Sequence, residues 1–501
     1  MHVCMNVGRR TREGTSEKRK SSGVSNREWS EVDRKGIENN KRCFAQNIYE
    51  VVFMSKHTLK KDAKYDVIVV GGGLAGLSCA FYASKKGKKV LLLEKNKYLG
   101  GRTSSFTDMG MEVESGLHRY IGYYKELPKL LKKCGVKISD IVTWEDEVEI
   151  LVKDGKISLG ISPFFSPLKT IHSLIGNKEY LTFEDKLSLL KFFAFGIKDY
   201  LLNSNFDDFS LEEYAIHHKV TKNAQNLILE PFSSGLFFLP TNEYSAFAFF
   251  KMLMPAIPRF YKMRVGAFLG GMSEVLCNPI GDAIISMGGD IFLEEDVKSI
   301  IINNDSVIGI ITNDNYAFYA PKTVIATPIN AAKKILNNLY KETTLSNLFN
   351  MPMMSVTTLQ IETSEPTFKN DLTVFGPSSN LVSLAEQSRS TFKNKSGRLS
   401  LILGKNQGFC NYSADDLLKI VIKELKMFGI DIQDKVIKCR KISEENEFYS
   451  LTPGSERLRP KQNTNIKGLI LAGDYTKTSS LCTMESAVIS GKKAARLCTK
   501  K

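Results

Sequence analysis

Residues 65–106 read YDVIVVGGGLAGLSCAFYASKKGKKVLLLEKNKYLGGRTSSF, and the fold turns on this stretch. Asp66–Val70 is a short β-branched run that stops at Gly71-Gly72-Gly73. Leu74–Ala83 is small and apolar at helical spacing. Lys85–Lys89 is a polar turn around Gly87, and Val90–Leu93 is a second apolar run ending at Glu94. Strand, glycine turn, helix, strand and acid in that order predict a βαβ unit suited to a dinucleotide. Gly71 permits the tight turn, Gly73 admits a pyrophosphate with no Cβ in the way, and Gly76 lets the helix approach the strand. The N–H groups at Leu74 and Ala75, with the positive end of the helix, are expected to face the phosphates. Glu94, followed by Lys95, sits where a carboxylate can accept hydrogen bonds from ribose hydroxyls.

A lone GxGxxG is a weak signal, but here every flanking part stands in its place. The continuation Leu99-Gly100-Gly101-Arg102 resembles the extended fingerprint of the flavin amine oxidase and carotenoid desaturase superfamily. In that superfamily the GGR segment lies over the flavin's pyrophosphate and ring. The resemblance therefore implies FAD, with Gly100, Gly101 and Arg102 among its contacts.

With 501 residues, the chain is long enough for two domains or one with a large insertion. The net charge of +15 is spread along the chain as lysines with no RNP, zinc-finger or helix-turn-helix pattern, so no nucleic-acid partner is expected. A solvated basic surface that favours an anionic membrane face accounts for it. Nine cysteines without a CxxC pair and six histidines indicate neither a disulfide framework nor a metal site. The expected location is a reducing compartment, cytoplasmic or organellar, and not the secretory route. The uncharged stretch Thr343–Ile361 is half polar and contains Pro352, so it is not read as a membrane span.

Residues 1–60 are polar and lack the apolar core of a secretory signal. Their acids (Glu13, Glu17, Glu28, Glu31, Asp33, Glu38) argue against an ordinary transit peptide. Met54 looks like a natural start, so the first 53 residues are expected to be disordered or to precede the true initiation codon, with targeting as the alternative.

After Arg102, Met111–Gly122 reads as a strand and a glycine-bounded loop in which Glu114, Gly116 and His118 match the E-x-G-x-H of the resembling family. Lys125–Lys133 reads as a polar helix, and Ile141–Trp144 and Val148–Val152 as strands. From Leu181 to Phe250 the pattern is helical and rich in phenylalanine, which suits either core or a deep apolar substrate tunnel. Lys251–Tyr261, KMLMPAIPRFY, combines apolar side chains with cations and two prolines, and is expected to lie in a membrane interface. Ser273–Met287 reads as mainly helical; Asp290–Leu293, Val297–Ile302 and Val307–Ile311 read as strands. In the family, the residue matching Val297 holds the adenine by its backbone. Residues 350–460 alternate strands with one amphipathic helix, Asp415–Met427.

The second specific motif is C-terminal. Gly468–Thr476 is a buried strand ending in Gly473-Asp474, and Thr483-Met484-Glu485-Ser486 opens a helix. It resembles the AGDYT…SMEGAVxSG signature of plant-type phytoene and ζ-carotene desaturases, with Ser486 in place of the family's glycine. The resemblance places Asp474 at the flavin ribityl hydroxyls and Thr483 and Met484 at the flavin's N1–C2=O edge.

The expected fold is α/β: a Rossmann-like FAD-binding domain (61–122, 266–334 and 464–501) and a discontinuous α+β substrate domain with an aromatic-rich helical insertion (123–265 and 335–463). The resemblance implies non-covalent FAD taking hydride from a substrate C–H onto flavin N5. A single dinucleotide fingerprint leaves a quinone or oxygen as the electron acceptor. Amine oxidases of the superfamily place a tyrosine before the Met-Glu pair as half of an aromatic cage, where Thr483 stands here. This favours an apolar carotenoid- or isoprenoid-like substrate and a desaturase, with amine or protoporphyrinogen oxidation as the alternative and a lipid-binding flavin fold as the non-enzymatic one. No catalytic residue is assigned; His118, Arg259 and Arg264 are candidates by position only.

Overall fold

Val67–Val70 (β1) is fully buried and leads through the glycine turn into the helix Leu74–Ser84 (α1) and the buried strand Val90–Leu93 (β2). The computed structural model describes residues 64–500 except 154, 203, 205, 343–344, 378 and 405–407. The expected N-terminal extension and the Met54 start lie outside the described residues. A hairpin follows, β3 (Ser105–Asp108) and β4 (Met111–Glu114), then β5 (Tyr120–Ile121), the helix α2 (Glu126–Lys133) and β6 (Val142–Glu145). A second hairpin is β7 (Glu147–Val152) and β8 (Gly155–Gly160). The helical stretch carries α3 (Phe183–Leu201), α4 (Leu211–His217), α5 (Glu230–Phe237) and α6 (Ala246–Leu253). The chain returns through β9 (Val265–Phe268), α7 (Asn278–Ser286), β10 (Asp290–Phe292), β11 (Val297–Asn303), β12 (Ser306–Thr312), β13 (Ala317–Tyr319) and β14 (Thr323–Ile325). Then come β15 (Met353–Thr363), β16 (Val374–Phe375), β17 (Leu381–Glu386), β18 (Gly397–Leu403), α8 (Ala414–Met427), β19 (Val436–Tyr449), β20 (Leu469–Leu471) and α9 (Met484–Thr499).

One sheet is parallel throughout, in the order β10-β2-β1-β14-β20. Its strands are apolar on both faces, as a sheet covered by helices requires. α1 and α9 cover it together: a Cβ on Gly491 would stand 2.1 Å from the Ala75 carbonyl oxygen, so only glycine permits this approach. The first and last helices of the described chain thus share one core.

That core also takes Tyr124, Leu127, Leu130 and Leu131 of the α2 region and Ile141 and Val142 beside β6. β6 and β5 both pair with β9. The boundary expected at 122/123 therefore does not coincide with a packing boundary; the apolar face of α2 turns to the parallel sheet's core. The second sheet has seven strands, β19-β15-β18-β17-β16-β7-β8, with α8 packed on it through Leu417, Val421 and Leu425.

α3 and α4 start with capping boxes, Thr182 with Asp185 and Ser210 with Glu213. Phe192 and Tyr214 of these helices are buried in core, while Phe183 and Phe195 are exposed. Phe192 and Phe250 meet as tilted rings with centroids 5.2 Å apart, and Phe249, Phe206 and Tyr214 close around them. Of the two sequence readings of this stretch, core packing describes these rings; Phe232 and Phe238 instead face the second sheet, against Phe375 and Phe448.

Candidate cofactor site

Two glycines in the first turn answer to close contacts. Gly71 has φ +105°, and a Cβ there would meet the Ala326 carbonyl at 2.9 Å. A Cβ on Gly76 would lie 1.9 Å from the Gly71 carbonyl oxygen, so α1 crosses directly above the turn. Gly73 differs: its nearest neighbour would be the Gly100 carbonyl at 3.7 Å, which leaves the backbone approachable. Gly73 is also the N-cap of α1, no side chain caps that end, and its first turn has no acid. The N-terminal N–H groups at Leu74 and Ala75 are therefore presented as an anion site would need. Gly73 bridges to Gly100, which carries Gly101 and Arg102 to the same turn.

Glu94 is buried, and its carboxylate accepts from the N–H of Gly72 at 2.6 Å and of Asn96 at 2.9 Å. Burial raises its pKa against those two bonds. Its carbonyl accepts from the Glu295 N–H, which brings Val297, the first residue of β11, to the same end of the sheet. Lys95 is half-exposed and pairs with Glu447 at 3.8 Å.

Arg102 ties the first motif to the last. Its Nη2 donates to Asp474 Oδ1 at 2.6 Å, and its guanidinium lies 4.6 Å from the centre of the Phe448 ring. Burial works against the charge, but Asp474 outweighs it and holds Arg102 protonated. Beside them, burial and then Glu447 raise Glu444 to about 8.

Thr483 is the N-cap of α9 and accepts the Ser486 N–H at 3.1 Å. Met484 packs on the parallel-sheet core. Glu485 accepts three backbone N–H groups, from Lys125 (2.9 Å), Glu126 (2.7 Å) and Leu127 (2.9 Å), and so caps α2. Ser486, the departure from glycine, is fully buried and bonds Thr478 Oγ1 at 2.9 Å and the Ser480 carbonyl at 3.2 Å. The hydroxyl thus pins the loop that follows Asp474.

His118 meets this centre: its Nε2 lies 2.9 Å from the Arg102 carbonyl, and burial lowers its pKa to about 4, leaving the ring neutral at pH 7. The two arginine candidates are engaged elsewhere. Arg259 donates to the Tyr123 carbonyl at 3.0 Å. Arg264 lies between the rings of Trp144 (3.5 Å) and Phe165 (3.9 Å). Sequence reasoning missed Phe448 and Arg459, which lie in stretches without a local signature, and passed over Tyr475 although it stands inside the Gly473-Asp474 motif.

The residues present fit FAD. A glycine-lined turn and uncapped helix suit a pyrophosphate, Glu94 suits a ribose, and Asp474 suits a polyol. The hydroxyl of Tyr475, 1 % exposed and beside Asp474, has no hydrogen-bond partner among the described residues. A model of flavin-containing amine oxidoreductases matches residues 74–499, nearly the whole described chain. This chain belongs to that family. As a flavin amine oxidoreductase it is an FAD-dependent enzyme, and the cofactor, when bound, supplies a two-electron acceptor for a substrate C–H bond.

Among curated relatives, the 15-cis-phytoene desaturase of Glycine max is 29 % identical over 460 residues, covering 86 % of this chain and 79 % of that protein. The Synechococcus elongatus 15-cis-phytoene desaturase is 26 % identical, covering 86 % and 95 %. The ζ-carotene desaturase of Arabidopsis thaliana is 22 % identical, covering 87 % and 85 %. Solved structures share the fold: an oxidoreductase of Methanosarcina mazei at TM-score 0.68 (19 % identity, 86 % and 100 % covered) and a putrescine oxidase at 0.66 (16 % identity, 87 % and 98 % covered).

Proposed function

We propose that this flavin oxidoreductase is a desaturase that removes hydrogen from an apolar, carotenoid- or isoprenoid-like substrate. The observation that carries this reading is Thr483. Its hydroxyl caps α9 at the position where the family's amine oxidases place a cage tyrosine. Without that ring a cationic amine loses cation–π support. The phytoene desaturases among the relatives agree with this choice.

In this reading Gly71, Gly73, Leu74, Ala75 and Gly76 cradle the pyrophosphate, and Gly100, Gly101 and Arg102 lie across it. Glu94, with Lys95 nearby, binds the adenosine ribose, and the Val297 backbone holds the adenine. Gly473, Asp474, Thr483 and Met484 bind the ribityl and ring edge. The chain's own work is to bind, orient and exclude water; α9, whose first-turn acid Glu485 is turned to the N–H groups of α2, aims its N-terminal dipole at the ring edge. His118, held neutral by burial, donates from Nε2 to the Arg102 carbonyl and so orients the GGR segment. The parallel sheet is the cofactor half of the protein and the seven-stranded sheet with the helices the substrate half. Electrons leave to a quinone or oxygen.

Substrate enters from a membrane surface. Met254–Lys262 exposes Ile257, Phe260 (59 %) and Tyr261 beside Lys262, a pattern suited to an interface. No helix among the described residues is long and apolar enough to cross a membrane. The seven described cysteines are free thiols. Anaerobic titration tests the function: protein loaded with FAD bleaches with a polyene and not with a primary amine or protoporphyrinogen. Bleaching by an amine alone overturns the desaturase reading.

A further inference from the structure

Behind the loop that carries Asp474 lies a buried ionic chain that the proposed function does not use. Arg459 is 1 % exposed. Its Nη2 donates to the carbonyls of Asp474 (3.1 Å), Thr476 and Ser480 (3.4 Å), and its Nε to that of Tyr475 (3.4 Å). One guanidinium therefore holds four carbonyls of a single loop, a task for which its rigid fork is suited and an ammonium is not. Nη1 pairs with Glu456 at 3.1 Å, and Glu456 also pairs with Lys251 of α6. Glu456 lies between two cations, and the Asp207 carboxylate accepts the Glu456 N–H at 3.2 Å behind it, so Arg459 is the cation of this cluster that meets the 473–480 loop.

We infer that Arg459 is a positioning residue for the flavin edge: it shapes the 473–480 loop and, balanced by Glu456, sets the positive potential that the bound ring experiences. This rests on the FAD reading above. Burial opposes the guanidinium charge, but Tyr449 and Glu456 outweigh it, so Arg459 stays charged. A fixed cation beside a redox ring favours its reduced, more negative form.

The test is the reduction potential of bound FAD in Arg459→Gln, Arg459→Lys and Glu456→Gln, with flavin affinity read by fluorescence of released cofactor. Loss of the cation in Arg459→Gln lowers the potential; loss of the carboxylate in Glu456→Gln raises it. Each change is at least tenfold in the ratio of reduced to oxidised cofactor, about 30 mV for a two-electron couple. Arg459→Lys keeps a potential near wild type while binding FAD at least tenfold more weakly, because the fork is lost. A purely structural role would weaken binding in all three without moving the potential in opposite directions. Potentials that shift together, or not at all, overturn the inference. Should Arg459→Gln not fold, Glu456→Gln and Arg459→Lys decide it alone. A wild-type chain that cannot be loaded with FAD overturns the flavin reading itself, a separate result.

Discussion

Arg102 and Asp474 meet at 2.6 Å although 372 residues separate them. Their side chains are 19 % and 8 % exposed, so removing either leaves a charge that water screens poorly. Arg102→Met or Asp474→Asn is expected to cost about 2 to 3 kcal/mol of apoprotein stability and to abolish retention of FAD. The double variant loses less than the sum, because each single change strands the other partner. Urea unfolding and flavin fluorescence measure both; additive losses would show that the pair is not coupled.

Stability should fall as pH rises above about 6.5; below that, His118, whose ring burial holds neutral, opposes the trend because the unfolded chain takes up its proton. Glu114 is 1 % exposed, and burial raises its pKa from 4.5 to about 7 despite bonds from Gln387 and the Met272 N–H and the nearby charges of Arg119 and Arg398. A folded-state pKa raised above the unfolded one gives a contribution that is complete below 4.5 and lost as pH passes through about 7. Glu444, raised to about 8 by burial and Glu447, extends the slope upward. Glu114→Gln is expected to be more stable than wild type at pH 8 by about 3 kcal/mol and to flatten the profile. Thermal melts across pH provide the check, and an unchanged slope would remove Glu114 as its source.

Thr483 should behave as a helix cap. Thr483→Ala is expected to lose about 1 kcal/mol and Thr483→Ser almost nothing. Neither change should confer amine oxidation. Equal losses for Ala and Ser in denaturant titrations would mean that the hydroxyl is not the capping group.

The exposed face of Met254–Lys262 is expected to bind anionic vesicles. Ile257→Glu with Phe260→Glu should lower vesicle flotation at least tenfold while leaving FAD content unchanged. Wild-type protein that stays wholly unbound at moderate salt would end the membrane reading.

The βαβ unit was legible because its requirements are local: turn, helix and strand lie between Val67 and Glu94, and Gly71 and Gly76 answer to contacts inside that unit or to Ala326 beside it. Arg102 and Asp474 were each legible as motif residues, but their ion pair was not, since nothing local encodes a contact across the whole chain. Glu485 shows the limit more sharply. It stands in the motif between Met484 and Ser486 with no role assigned to it, and its carboxylate reaches away to cap α2. The phenylalanines of α3 and α6 were ambiguous because core and tunnel demand the same residue types. The placement of α2 with the parallel sheet depended on which way one amphipathic face turned, and periodicity fixes a face without naming its partner. Arg459 had no signature at all.

α1 and α9, the first and last helices described, close on each other at Gly491, and Asp474 sits just before α9. The consequence is one of timing during synthesis. A chain leaving the ribosome can form the glycine turn early, but Arg102 has no Asp474 to pair with, and the parallel sheet no β20, until residues 469–474 emerge. Cofactor capture thereby waits on the synthesis of residues 469–499, and a product truncated before residue 474 would be left without flavin for quality control to remove.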